Sequence, residues 1–391
     1  MSTPISASLS LEEGAAHLTA LLRDSARMDD FPLPLQELWQ AQAAQAHLQQ
    51  LFTELRHKED WKYTPVDFFR LPWALGQVEL LGPSSFESAL APAERVAPSE
   101  TLPALSSFPT PASPWEALVM GASLRAHYRV SKQGHVSWNF AGKGGLTTQL
   151  LTVSLEPHAE GEVWLNPQGE GFMIVRVHLH LSFGAQARLY LPTYLKAPNT
   201  YLYIILSAEQ EAESRLEGYD LTAAVSWKRL EVKVRLRGKG AVAHLLGAAR
   251  VGLGESMDYA IRVEHAAPHT ESNQLFKSLV YPEGRSTFQG RIFVHRQAQK
   301  TNAYQSHKAL LWDRKAVAYS RPQLEIFADD VRCTHGVTTG FMEGEILTYL
   351  RTRGIPEAQA RQLLAQAFLE EVIGRVPHEG LQEAARRWIE A

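Results

Sequence analysis

The sequence predicts a mainly β chain with helical regions at both ends, and three observations carry that expectation. Between residues 115 and 332 the apolar residues recur with period two. Val175, Val177, Leu179, Leu181 and Phe183 alternate with Arg176, His178, His180 and Ser182, and Leu230, Val232, Val234 and Leu236 alternate with Arg229, Glu231, Lys233, Arg235 and Arg237. A helical period frames this block on either side. Strands never alternate with long helical patterns, as a doubly wound sheet would require, so the middle of the chain is all-β: a sandwich, a barrel or a parallel solenoid. Short Gly-Ala stretches at 184–190 and 240–246 suit the corners of stacked coils, but their spacing is irregular, and the residues alone leave all three architectures open.

In chain order, Ser10 and Glu13 form a capping box that opens a helix running to about Arg23, with Leu11, Ala15, Leu18 and Leu22 on one stripe. Residues 35–57 form a second helix through Leu38, Ala41, Ala44, Leu48, Leu51 and Leu55, with Phe52 alongside. These two make up an N-terminal helical region over 1–72. Residues 73–114, rich in Pro, Ser and Ala and holding Pro103, Pro109, Pro111 and Pro114, read as a linker. The β core spans 115–340, and a C-terminal helical region spans 341–391. There Pro356 opens a helix whose stripe is Ala360, Leu363, Leu364, Ala367, Phe368 and Val372, ended by Gly374 and Pro377. Leu381, Ala384, Ala385, Trp388 and Ile389 mark a shorter last helix.

With 391 residues, 45% of them hydrophobic, the chain can bury a sizeable core. A formal net charge of -3 supplies no basic field for nucleic acid or acidic lipid. The basic stretch 228–239 puts Arg229, Lys233, Arg235, Arg237 and Lys239 on one strand face without interleaved aromatics, which reads as a solvated or partner-facing surface. No apolar run reaches the ~18 residues of a membrane helix. The first residues, with Glu12, Glu13 and no Lys or Arg before Arg23, fit neither a secretory signal nor a transit peptide, and the expected location is the cytoplasm. A phosphate-binding GxxxxGK[ST] is absent, so any ATP chemistry must belong to another subunit.

The single cysteine, Cys333, excludes an internal disulfide. It lies two residues before His335, so in a strand both project to one side and can meet one metal ion or one partner surface. Two donors are too few for a closed zinc or cluster site, and a complete site needs ligands from elsewhere. Asp329 and Asp330, near Glu325, raise the alternative of a β-helical carbohydrate-active enzyme. Neighbouring strand residues face opposite ways, however, which favours a turn role. His265, His269 and His295 are scattered, and Pro268 argues against a helical His pair.

The runs EDWKYT (59–64), NQLFKSLV (273–280), FQGRIFVH (288–295), AQKTNAYQS (298–306), PQLEIFADDVRCTHG (322–336) and YLRTRGI (349–355) resemble the SufD scaffold family of the SUF iron-sulfur cluster assembly system. The resemblance covers most of the chain beyond Glu264 and one N-terminal patch. It implies a right-handed parallel β-helix core flanked by helical N- and C-terminal regions, and a non-catalytic scaffold partnered by SufB and the SufC ATPase. It places His335 at the SufB interface, where it acts in cluster assembly with a SufB cysteine. Ser306 stands where SufB itself carries that cysteine, so this chain resembles SufD and lacks the thiolate. The resemblance also assigns Tyr349, Leu350, Arg351, Arg353, Gly354 and Ile355 to ATPase docking. No cofactor is expected to bind the isolated chain tightly, and iron or an iron-sulfur cluster is expected transiently at the SufB interface. Flavin in the complex and a homodimer of the free chain are left open, as is a purely structural, self-associating scaffold.

Overall fold

The computed structural model describes residues 78–80, 93–95, 124–197, 199–342 and 344–390. The two helices expected at 10–23 and 35–57 lie outside the described residues, as does most of 73–114. Within that stretch are two short strands, β1 (Val78–Leu80) and β2 (Glu94–Arg95). They pair antiparallel with the first strands of the core, β4 (Gln133–Leu155) and β3 (Leu124–Val130).

From there the chain coils. β5 (Glu160–Leu181), β6 (Gln186–Tyr194), β7 (Thr200–Gln210), β8 (Arg215–Ala223) and β9 (Trp227–Leu236) lead into β10 (Val242–Val251), β11 (Ser256–His265) and β12 (Glu271–Val280). β13 (Arg285–Val294), β14 (Asn302–Leu311), β15 (Val317–Ile326) and β16 (Arg332–Phe341) complete it. The odd strands from β5 to β15 stack in parallel on one face, and the even strands from β6 to β16 stack on the other. The long β5 belongs to both, pairing with β6 through residues 160–164 and with β7 through residues 171–181. The architecture is therefore a two-faced parallel β-solenoid, which decides among the three options that periodicity left open. Gln186 pairs with Arg215, Arg215 with Val242, Val242 with Glu271, and Glu271 with Asn302, so each coil returns to its starting register.

One corner recurs in six successive coils. His158, Gly184, Glu213, Gly240, His269 and Lys300 all have left-handed backbone, with φ between 59° and 73°. Each donates its N–H to a carbonyl one coil on, to Phe183, Ala212, Lys239, Pro268, Gln299 and Asp330 in turn. Each is followed by a small, fully covered residue: Ala159, Ala185, Ser214, Ala241, Thr270 and Thr301. Only two of the six corners use glycine, although the left-handed region disfavours other residues. The inter-coil hydrogen bond offsets that preference.

Between the two faces lies the main core, including Leu151, Val153, Leu189, Leu216, Val232, Val234, Leu245, Tyr259, Ile261 and Phe276. Period two is observed where expected, with Val175, Val177, Leu179 and Leu181 inside. The outward partners differ from expectation: Arg176 and His178 are buried too, and Phe183 is 43% exposed because β5 ends at Leu181 and the ring rests edge-on against His158 in the turn. The basic stretch also differs. Lys228 points inward, where Asp220, Thr193 and Thr222 accept from its ammonium, and Tyr259 donates to the same carboxylate at 2.8 Å. Arg229 is buried and pairs with Asp258 at 2.5 Å, while Arg235 and Arg237 remain exposed beside Glu264 and Glu209. Charge pairing between coils thus draws Arg229 out of solvent, because a buried guanidinium needs a carboxylate partner.

Three helices follow the solenoid: α1 (Glu345–Thr352), α2 (Glu357–Ile373) and α3 (Glu379–Glu390). α2 and α3 lie against the outer surface of the even face, forming a second core with Trp164, Tyr190, Tyr219, Leu246 and Leu275. Trp164, Tyr190 and Tyr219 stack along three successive coils at 4.0 and 5.5 Å, and His378 packs edge-on against the first. The buried stripe of α2 is Ala360, Ala365, Leu369, Val372 and Ile373. The expected stripe is right at Ala360 and Val372, but Leu363 and Ala367 face outward, because α2 is apolar on more than one side and the even face selects which side it covers. The last helix buries Leu381, Ala384, Ala385 and Ile389, as expected.

Leu369→Ala should lower stability by about 2–5 kcal/mol through the cavity it leaves, whereas Leu363→Ala should change it by less than ~0.5 kcal/mol. Denaturant unfolding of the two variants distinguishes them, and equal losses would place the buried face of α2 elsewhere.

Candidate functional site at the open end of the solenoid

The last coil ends without a cap among the described residues. β15 pairs only with β13, and β16 only with β14, so each leaves one backbone edge unpaired. Exposure rises accordingly: β14 is mostly buried, β15 half-buried and β16 largely exposed. Tyr319, Ile326, Phe327, Val337 and Phe341 are all at least 38% exposed there. Unpaired edges flanked by apolar side chains are a template for another chain unless something covers them.

Cys333 and His335 both sit on β16, in register with Ala303 and Gln305 of β14. Gln305 points into the solenoid, since a Cβ added at Gly290 across the interior would meet its Nε2 at 1.7 Å. Cys333 packs against the small interior cluster of Ile292, Val294, Ala298, Ala303 and Ala328. By strand alternation His335 shares that inner side, at the exposed mouth of the coil. The two predicted residues therefore fall on one side but in different surroundings. Burial pushes the Cys333 thiol up, only partly countered by a backbone hydrogen bond from Ala303, which keeps it a thiol at neutral pH. The imidazole at position 335 is the more available donor. Ser306 is buried and in register with Gly336, on the opposite phase of β14 from Gln305.

The other candidates are engaged elsewhere. Asp329 and Asp330 are exposed in the loop between β15 and β16, where Asp330 pairs with Lys300 and its N–H donates to Gln299 Oε1 at 2.9 Å. His265 is buried between the hydroxyls of Thr270 and Ser272, His295 lies 2.6 Å from Glu264, and His269 occupies a corner. Among the described residues no three His, Cys, Asp or Glu side chains form a metal-binding group.

Sequence reasoning missed a polar interior beneath the site. His307 is fully buried, stacked on Phe288 at 4.7 Å, with its nitrogens 3.3 Å from Ser278 Oγ and 2.7 Å from Ser320 Oγ. Gln274 and Gln305 are both 0% exposed on the same inner rung. The signal was available: in a strand of period two, a Gln or His on the inward phase among apolar neighbours marks a polar spot in a core.

The segment assigned to docking is a helix end built by a hydrogen-bonding motif. Gly354, at φ 84°, donates to the Arg351 carbonyl at 3.0 Å, and Ile355 donates to the Leu350 carbonyl at 3.2 Å, which is a Schellman closure of α1. That geometry explains a glycine after Arg353 and an apolar residue after the glycine. Arg351 reaches Glu357 at 3.4 Å, and the Arg353 guanidinium lies 5.1 Å from the Tyr349 ring. Tyr349 and Ile346 are 56% and 64% exposed.

Burial lowers the imidazoles of His265 and His307 from 6.5 to about 3. The unfolded chain therefore takes up these protons near pH 6.5 and the folded chain does so only near 3, so their contribution to stability is full above 6.5 and lost as pH falls through that window. The thermal midpoint should fall from pH 6.5 toward pH 4, and His307→Gln should make the slope shallower. An unchanged slope would show that His307 does not titrate on unfolding.

A family model described as "SUF system FeS cluster assembly, SufBD core domain" matches residues 139–368, the solenoid together with α1 and most of α2. The iron-sulfur cluster assembly protein SufD of Escherichia coli (strain K12) is 35% identical over 155 residues, covering 40% of this chain and 37% of that protein. An iron-sulfur cluster assembly SufBD family protein of Mycobacterium tuberculosis (strain ATCC 25618 / H37Rv) is 33% identical over 244 residues, covering 60% of this chain and 61% of its own. The iron-sulfur cluster assembly protein SufB of Bacillus subtilis (strain 168) is 29% identical over 151 residues, 39% of this chain and 32% of that protein. The chain thus spans less than two thirds of the length of each of these relatives. With a parallel solenoid and a core-domain match over more than half its length, the chain belongs to the SufB/SufD family of SUF-system iron-sulfur cluster assembly proteins.

Proposed function

We propose that this chain is the SufD-type, non-catalytic scaffold subunit of a SUF complex working in the cytoplasm. Its open solenoid end pairs with SufB, and its C-terminal helices hold the SufC ATPase. The observation that carries the reading is the pair of edge strands β15 and β16, uncapped among the described residues, with His335 at their mouth. A SufB subunit of the same core fold offers similar edges, so pairing continues the parallel or antiparallel ladder across the interface. Iron or the nascent cluster is cargo at that interface. His335 offers it one borderline nitrogen donor, suited to iron, while the thiolates come from SufB, since this chain has a single cysteine. Flavin, where the complex binds it, is on this reading a property of the assembly.

Docking of the ATPase on α1 is supported by the exposure of Ile346 and Tyr349 on a helix fixed by its closure at Gly354, with exposed Leu363 on the adjoining α2. A second reading, self-association of the free chain, rests on the same edges: without SufB, a second copy can cover them.

Co-expression with SufB and SufC followed by purification is the direct test, and recovery of neither partner would overturn the proposal. Within the purified complex His335→Ala should lower cluster content several-fold while changing subunit stability by less than ~0.5 kcal/mol, because an exposed side chain contributes little to the core. Cys333→Ser should be milder. Normal cluster content in His335→Ala would remove this residue from the assembly site. Tyr349→Asp should weaken retention of the ATPase by about 10-fold or more without changing the thermal midpoint; full retention would move the docking surface elsewhere.

A further inference from the structure

One inner rung of the solenoid changes character as it approaches the open end. Leu245 of β10 is in register with Gln274 of β12, Gln274 with Gln305 of β14, and Gln305 with His335 of β16. Leu245 lies in the apolar core and shows what this rung holds where only packing matters. Gln274 and Gln305 are each 0% exposed, and neither the Nε2 nor the Oε1 of either has a hydrogen-bond partner. Buried amides left unpaired are unfavourable, and packing alone does not call for them.

The wall opposite Gln305 is shaped for its amide. Gly290 has ordinary negative-φ backbone, so no conformational demand requires glycine there. A Cβ at that position would stand 1.7 Å from Gln305 Nε2 and 2.5 Å from its Cδ. The glycine leaves room for the amide head. In-register parallel neighbours lie about 4.8 Å apart, within reach of a glutamine side chain and the imidazole stacked above it.

We propose that Gln305 is a positioning residue for His335. In this structure both amide atoms of Gln305 are without a partner; a side-chain rotation lets the Oε1 accept the N–H of one His335 ring nitrogen, which fixes the tautomer and turns the lone pair of the other nitrogen toward the open end, and lets the Nε2 donate down the rung to Gln274. A metal-binding imidazole needs such an arrangement, because the partner of one nitrogen decides which nitrogen is free to ligate. The proposal rests on the reading of His335 as the ligand this subunit supplies, and its test does not depend on cluster chemistry.

The full chain labelled with 15N in its histidine rings reports the neutral tautomers directly, and the signals lost in His335→Ala assign that residue. A single dominant tautomer is expected for His335 in the unsubstituted chain. Gln305→Leu should shift it to the mixture of a free imidazole while leaving the thermal midpoint unchanged or raised, since a leucine packs on this same rung at position 245. Gly290→Ala, which displaces the amide without altering Gln305, should give the same spectral change. In the complex, Gln305→Leu should lower cluster content several-fold, though less than His335→Ala. The proposal is overturned if the His335 tautomer is mixed from the start, if Gln305→Leu leaves it unchanged, or if it changes only in step with a falling midpoint. Normal cluster content in His335→Ala would instead defeat the functional reading and leave the orientation of the ring standing.

Discussion

The rest of the structure depends on the in-register hydrogen-bond ladder between coils, held at each turn by one left-handed corner. The corner N–H always meets a carbonyl one coil on, from His158 to Phe183 through Lys300 to Asp330. That bond fixes where each coil begins, and a fixed start puts like positions above one another. A one-residue slip would turn every inner side chain outward. Register therefore produces the aromatic stack of Trp164, Tyr190 and Tyr219, the buried Lys228 and Asp220 pair, and the rung that ends at His335.

A ladder of this kind has two ends, and each must be dealt with. α2 and α3 do not cap the last coil: they cover the outer surface of the even face, and Lys277 and Lys308 tie α2 down through Glu371. The chain thus spends its C-terminal apolar surface on the side of the solenoid, and among the described residues nothing pairs with the outer edges of β15 and β16. A protein with no partner would be expected to blunt such edges with proline, charge or a helix. Pro322 and Arg321 are present on β15, yet Val337 and Phe341 remain exposed on β16. On the proposed reading the same economy leaves the site incomplete within one chain, because the end that a partner would cover also carries the exposed His335.

Much of this was legible in the sequence. Period two located the strands because inward positions are apolar whichever β architecture is built, and the last helix was legible because only one of its sides is apolar. The solenoid itself was not readable from spacing. Its repeat hides behind corners filled by His158, Glu213, His269 and Lys300, where only Gly184 and Gly240 give the conformation away. The stripe of α2 was half readable, since Leu363 and Leu369 are equally apolar and tertiary contact chooses between them. At the site, alternation placed Cys333 and His335 on one side. It could not say that Cys333 lies over Ala298 and Ala303 and stays protonated while His335 stands at the mouth, because that difference arises from the position of the final coil.

The interior also carries a gradient that no single residue displays. In the middle coils the polar groups inside are mostly satisfied: Lys228, Asp220, Thr222, Thr193 and Tyr259 form one ionic group, and His265 lies between the hydroxyls of Thr270 and Ser272. Toward the open end the polar groups change in kind. His307 is held between two serines, Gln274 and Gln305 have open valences, and His335 reaches solvent. A closed network stabilises its register and asks for nothing further, whereas open amides below an exposed imidazole confer no stability on the core that holds them. Groups that cost stability are retained where something beyond folding uses them, and here they lie directly beneath the exposed imidazole of His335.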